Sequence, residues 1–97
     1  MPLRQISPRI PTDLYVRVQR YRELRSLSQR SLVELALHQA LESDIDVPGL
    51  PPESADDTTT LTARIDPDLF RQTKQACAAK DRRLRAFVAA ALTAYLS

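Results

Sequence analysis

Three side chains that can grip and discriminate stand at alternate positions near the start of the chain: Gln5, Ser7 and Arg9. A matching set recurs at Thr60, Thr62 and Arg64. Arginine presents a rigid fork of N–H donors, a glutamine amide both donates and accepts, and a hydroxyl does either. At a spacing of two, such residues share one face of an extended strand. This is the chemistry of recognising a polar edge by hydrogen bonding, not of making or breaking bonds. No enzyme activity, metal or cofactor is expected. The single His38 reads as an ordinary helix residue, one glycine leaves no phosphate-binding glycine loop, and no carboxylate pair falls on an apolar face.

The elements that must hold these residues follow from periodicity. Residues 5–10 alternate, with Ile6, Pro8 and Ile10 opposite the polar set, which predicts a short half-buried strand. Pro8 has no N–H for a ladder, so it is expected where that group would point away from the partner strand. Pro11, Thr12 and Asp13 read as a helix start, with Thr12 or the residue before it as cap. Leu14, Val18 and Tyr21 then fall on one helical face, decorated by Arg17, Arg20, Arg22 and Arg25, which read as solvated. The helix fades near Ser26, and Ser28 can cap a second one. Its stripe is Val33, Ala36, Leu37, Ala40 and Leu41, widened by Leu32.

Residues 44–58 carry Asp44, Asp46, Glu53, Asp56 and Asp57 with no base, and read as an acidic, proline-rich linker. Then the pattern restarts. Leu61, Ala63 and Ile65 alternate with Thr60, Thr62 and Arg64; Asp66 is a good cap with Pro67 at the first helical position. Leu69, Thr73 and Ala76 repeat the spacing of the first helix. After a break near Asp81, Phe87, Val88, Ala91, Leu92, Tyr95 and Leu96 form a last stripe. A shift of 55 residues superimposes the halves without a gap, pairing Arg9 with Arg64, Leu14 with Leu69, Arg30 with Arg85 and Leu37 with Leu92. One register kept through three elements marks an internal repeat.

Ninety-seven residues suit one small domain, or two units too small to stand alone. The fold class expected is mainly α with a two-stranded antiparallel β-ribbon. Units 1–43 and 59–97 would intertwine, their strands pairing and four helices interlocking beneath. The linker can reach up to about 50 Å if extended, ample for this. The units carry net charges of +3 and +4 and the linker −5, within a total of +2. Two basic blocks suggest a polyanionic partner. A lone cysteine, Cys77, excludes an internal disulfide and reads as a small, semi-buried helix residue. No apolar run has the length of a membrane span, and no signal peptide opens the chain, so a cytoplasmic location is expected.

Strand, helix, helix, with SLSQRSLVELAL leading into the second helix, resembles the ribbon-helix-helix DNA-binding proteins, the superfamily of the Arc and MetJ repressors. The resemblance covers all but the linker and a few N-terminal residues. It implies a single-chain tandem of two units, a pseudo-dimer (β-α-α-linker-β-α-α). It also implies double-stranded DNA as partner, with the ribbon in the major groove. Gln5, Ser7, Arg9, Thr60, Thr62 and Arg64 would then contact base edges: arginine suits guanine, glutamine suits adenine, and hydroxyls suit several partners. A merely solvated face is the bland alternative. The second-helix N-termini would hold phosphate through Ser28, Gln29 and Arg30 in one unit and Arg83 and Arg85 in the other. The second unit departs from the family pattern in its turn, where Arg83 replaces the capping Ser28; Asp81 is the substitute cap expected, starting the helix earlier.

The function this implies is a sequence-specific repressor of transcription. An accessory DNA-binding protein of plasmid conjugation, beside a relaxase, or of plasmid maintenance fits the same residues. Self-association of pseudo-dimers on adjacent sites accords with either. A reading of another class is an antitoxin or protein-interaction module, but such relatives usually carry a toxin-binding tail, and none is expected after the last helix.

Overall fold

The computed structural model describes residues 2–47 and 57–96. The elements run β1 (Arg4–Ile6), β2 (Arg9–Pro11), α1 (Thr12–Arg25), α2 (Gln29–Ser43), β3 (Thr58–Thr60), β4 (Ala63–Ile65), α3 (Pro67–Lys80) and α4 (Leu84–Leu96). The fold is mainly helical, with a small antiparallel sheet region. No described helix is long and apolar enough to cross a membrane.

β1 pairs with β4 and β2 with β3, both antiparallel. Arg4 faces Ile65, Gln5 faces Arg64 and Ile6 faces Ala63; Arg9 faces Thr60, Ile10 faces Thr59 and Pro11 faces Thr58. The two short sheets belong to one register, with no residue gained or lost between them. Ser7 therefore stands opposite Thr62, its own equivalent in the repeat, so the ribbon is centred on that pair.

The interruption has a chemical cause. Leu61 N–H donates to the Pro8 carbonyl at 2.9 Å. The N and C=O of one strand residue point the same way, so the Pro8 nitrogen also faces its partner. Proline sits where the ladder needs a donor, not where the N–H would point to solvent, and the return bond of this pair is missing. Its ring is buried instead, like its inward neighbours. Ile6, Ile10, Leu61, Ala63 and Ile65 are all buried, which seals the ribbon's inner face onto the helices.

The helices interlock crosswise. α2 packs on α4 and under β4, while α4 lies under β2, so each half covers the other's strand. One core joins both halves: Leu32, Val33 and Leu37 of α2 with Phe87, Val88 and Leu92 of α4, each wholly buried. Each such side chain contributes about 1.5–3 kcal/mol relative to exposure, and neither half could bury this set alone.

The helix ends keep the same spacing. Ser26 (φ 54°, ψ 42°) ends α1 and Asp81 (φ 54°, ψ 49°) ends α3, both left-handed. Asp81 therefore terminates a helix and does not cap the next; α4 begins at Leu84, where Arg83 contributes its carbonyl to Phe87 N–H at 3.1 Å. Ser28 caps α2 by accepting from Ser31 N–H at 3.0 Å, and Asp66 caps α3 by accepting from Leu69 N–H at 3.3 Å. α1 starts after Pro11 with no side-chain cap. The chain leaves α2 under restraint: Lys80 pairs with Asp44 at 2.7 Å, and Arg82 Nε donates to the carbonyl of the buried Val47 at 2.6 Å. Of the linker span 44–58, Thr58 already belongs to β3, and residues 48–56, with Glu53 and Asp56, lie outside the described residues.

Candidate nucleic-acid interface

The outer face of the ribbon carries Gln5, Ser7, Arg9, Thr60, Thr62 and Arg64, and all six are exposed. Register arranges them as three opposed pairs: Gln5 with Arg64, Ser7 with Thr62, Arg9 with Thr60. The bond between Leu61 and Pro8 makes that pair a hydrogen-bonded one. By alternation the three outer pairs are of the close, non-hydrogen-bonded kind, with Cα atoms about 4.5 Å apart. Four residues of strand separate the end pairs by about 13 Å. The result is a narrow polar ridge with an arginine at each end, on opposite strands.

Neighbours hold parts of this ridge in place. Arg9 Nε donates to Thr58 Oγ1 at 3.1 Å, two residues along the opposite strand from Thr60. Its terminal nitrogens remain a planar donor pair. Thr12 and Thr59 join hydroxyls at 2.9 Å, tying α1 to β3. Arg4 lies over the Phe70 ring at 5.0 Å, a cation–π contact beside the strand end.

The N-terminus of α2 sits against the ribbon. Gln29 Nε2 donates to the Thr62 carbonyl, at the centre of the ridge. Gln29 Oε1 accepts from Gln19 Nε2 at 2.9 Å and from Arg22 Nη1 at 3.2 Å. Both ends of the Gln29 amide are thus engaged within the protein, so its side chain is a brace between α1, α2 and the residue that leads into β4. Arg22, read from sequence as solvated, belongs to the same brace, with Nε also on the Leu27 carbonyl at 3.3 Å. The Ser28 hydroxyl is likewise occupied, accepting from Ser31 N–H and donating to Ser31 Oγ at 2.9 Å. What this turn offers an anion is the pair of first-turn N–H groups of Gln29 and Arg30, which have no intrahelical acceptor. The Arg30 guanidinium adds to them but meets Glu34 at 3.4 Å.

α4 presents the equivalent turn differently. Arg83 stands at the capping position without an acceptor for the first-turn N–H groups. Arg85 has Ala89 four residues on, where Arg30 has Glu34. Two arginines and uncapped N–H groups therefore share this end.

Several residues of the site were not singled out from sequence. Thr58 steadies Arg9, and only strand register reveals it. Glu34 tempers Arg30 and accepts from Asp66 N–H at 2.8 Å, joining α2 to the start of α3; its place four residues after Arg30 was the available signal. Arg82, at the position of Leu27, restrains the chain after α2. His38 is exposed on α2, and Cys77 is buried in α3, where burial pushes its thiol pKa up. Among the described residues no group of His, Cys, Asp or Glu is placed to hold a metal ion. No family model, curated protein or solved structure matches the chain.

Proposed function

We propose that the chain is a sequence-specific double-stranded DNA-binding protein, a single-chain ribbon-helix-helix pseudo-dimer that represses transcription by occupying a promoter. The observation that carries this reading is the ridge: six exposed polar side chains in three opposed pairs, centred on two equivalent residues. A major groove about 12 Å wide admits a two-stranded ribbon. Arg9 and Arg64 would each take a guanine edge, Gln5 an adenine edge, and Ser7, Thr60 and Thr62 hydroxyl-compatible positions. Flanking the ribbon, the first turns of α2 and α4 would hold the phosphates on either side, through backbone N–H groups with Arg30, Arg83 and Arg85. The site of action on this reading is cytoplasmic, on nucleoid or plasmid DNA.

Selection of duplexes from a random pool tests it, with the natural chain beside a Thr62→Ala/Arg64→Ala variant. The natural chain should enrich a short site, and the variant should lose preference in one half of it. A pool that stays random, with binding that vanishes at modest salt, would reduce the contact to phosphate alone and end the base-reading proposal.

A further inference from the structure

The repeat invites the expectation of a palindromic site, but the ridge is not symmetric about its centre. Rotation about the Ser7·Thr62 pair exchanges Arg9 with Arg64 and replaces one hydroxyl by another at the centre. It also exchanges Gln5 with Thr60, and there the chemistry differs. Gln5 stands directly opposite Arg64, while Thr60 stands directly opposite Arg9. One end therefore offers a guanidinium beside an amide that both donates and accepts. The other offers a guanidinium beside a short hydroxyl. The surroundings differ in the same sense. Arg9 Nε is held by Thr58 Oγ1, whereas the residue equivalent to Thr58 is Leu3, which has no acceptor for Arg64. Gln29 braces the backbone of Thr62, whereas its counterpart in α4 is Leu84, which has no amide to brace Ser7.

We infer that the ridge reads DNA with a direction: Gln5 is the specificity-determining residue, fixing an adenine beside the guanine of one half-site, while the half-site under Thr60 is relaxed at the matching position. This rests on the DNA-binding reading above. An amide can pair bidentately with adenine N6 and N7, and a threonine hydroxyl cannot discriminate to that degree. A chain holding both units can keep such a direction, because each copy carries one Gln5 and one Thr60. A dimer of identical units would present the same residue at both ends.

The test uses the full chain, its Gln5→Thr variant and its Thr60→Gln variant, each taken through duplex selection and then competition with single-base-pair changes. Both positions are exposed, and circular dichroism before and after heating checks that the fold is unchanged. For the natural chain, changing the adenine pair should weaken binding by roughly 5- to 150-fold in one half only. Thr60→Gln should extend the preference to both halves and recover a palindrome. Gln5→Thr should abolish it in both. A palindrome recovered by the natural chain, or a Thr60→Gln variant whose site stays one-sided, would overturn the direction while leaving base reading intact. Enrichment of no sequence by the natural chain would end the base-reading proposal itself, and the inference with it.

Discussion

The two helix turns that flank the ribbon are equivalent in position and unequal in charge, which, on the DNA-binding function proposed above, gives a sharp expectation for salt dependence. Arg30 shares its guanidinium with Glu34 at 3.4 Å, and that carboxylate also repels a phosphate approaching the turn. At the equivalent place Arg85 has Ala89, and Arg83 adds a second cation. Each phosphate neutralised on duplex DNA contributes about 0.9 to the slope of log K against log salt concentration. Between 50 and 200 mM salt, one such contact changes affinity by about 3.5-fold. Replacing Arg85 by alanine should therefore flatten the slope by about one unit, and replacing Arg30 by less than about half of that. Glu34→Gln should act the other way. It keeps an oxygen for Asp66 N–H but removes the charge, so it should steepen the slope and raise affinity at low salt. Fluorescence anisotropy of a labelled duplex, titrated at several salt concentrations, measures all four proteins. A slope unchanged by Arg85→Ala, or altered more by Arg30→Ala than by Arg85→Ala, would refute the reasoning.

Two further outcomes concern stability. Phe87 is wholly buried where the halves meet, so Phe87→Ala should cost about 3–5 kcal/mol in urea unfolding, while Leu24→Ala, at a site 77% exposed, should stay within about 0.5 kcal/mol. The Asp44 carboxyl is held below the usual carboxylate range, first by its hydrogen bond from Lys80 and then by that residue's charge. A depressed folded pKa adds stability that is present above the ordinary carboxylate pKa and is lost as pH falls through the folded value. Lys80→Met should accordingly flatten the acid side of a stability profile measured by denaturant unfolding between pH 2 and 6.

What the sequence makes legible here is periodic or local. The stripes of α2 and α4 are set by apolar residues at helical spacing, and Ser28 and Asp66 cap as their neighbours dictate. The alternation of residues 5–10 and 60–65 separates an exposed face from a sealed one, and that needs no partner to be read. The rest depends on pairing. Whether the nitrogen of Pro8 faces solvent or strand is decided by which edge of its strand the partner occupies, and that has no local signal. Asp81 suits both a helix start and a left-handed helix end, and its alignment with Ser26, 55 residues earlier, is the signal for the second. The Gln29 amide and the Arg22 guanidinium look like surface groups along their own helices; they become a brace because they meet each other and Gln29 reaches the Thr62 carbonyl, from the other half of the chain. Glu34 is legible only in part: its pairing with Arg30 is local, but its second partner is 32 residues away.

The crosswise packing has a consequence for concentration. Every contact between the halves, from the ribbon to the α2–α4 core, can be made equally well between one chain's first half and another chain's second half. The two arrangements share their contacts, so their balance is set mainly by tethering. A short tether supplies a partner at an effective concentration in the millimolar range. At micromolar protein the self-closed chain is then favoured by roughly a thousandfold, and at millimolar protein that advantage is spent. Exchange of halves, yielding a double-length assembly with two ribbons, is thus the expected oligomer of this fold in concentrated solution.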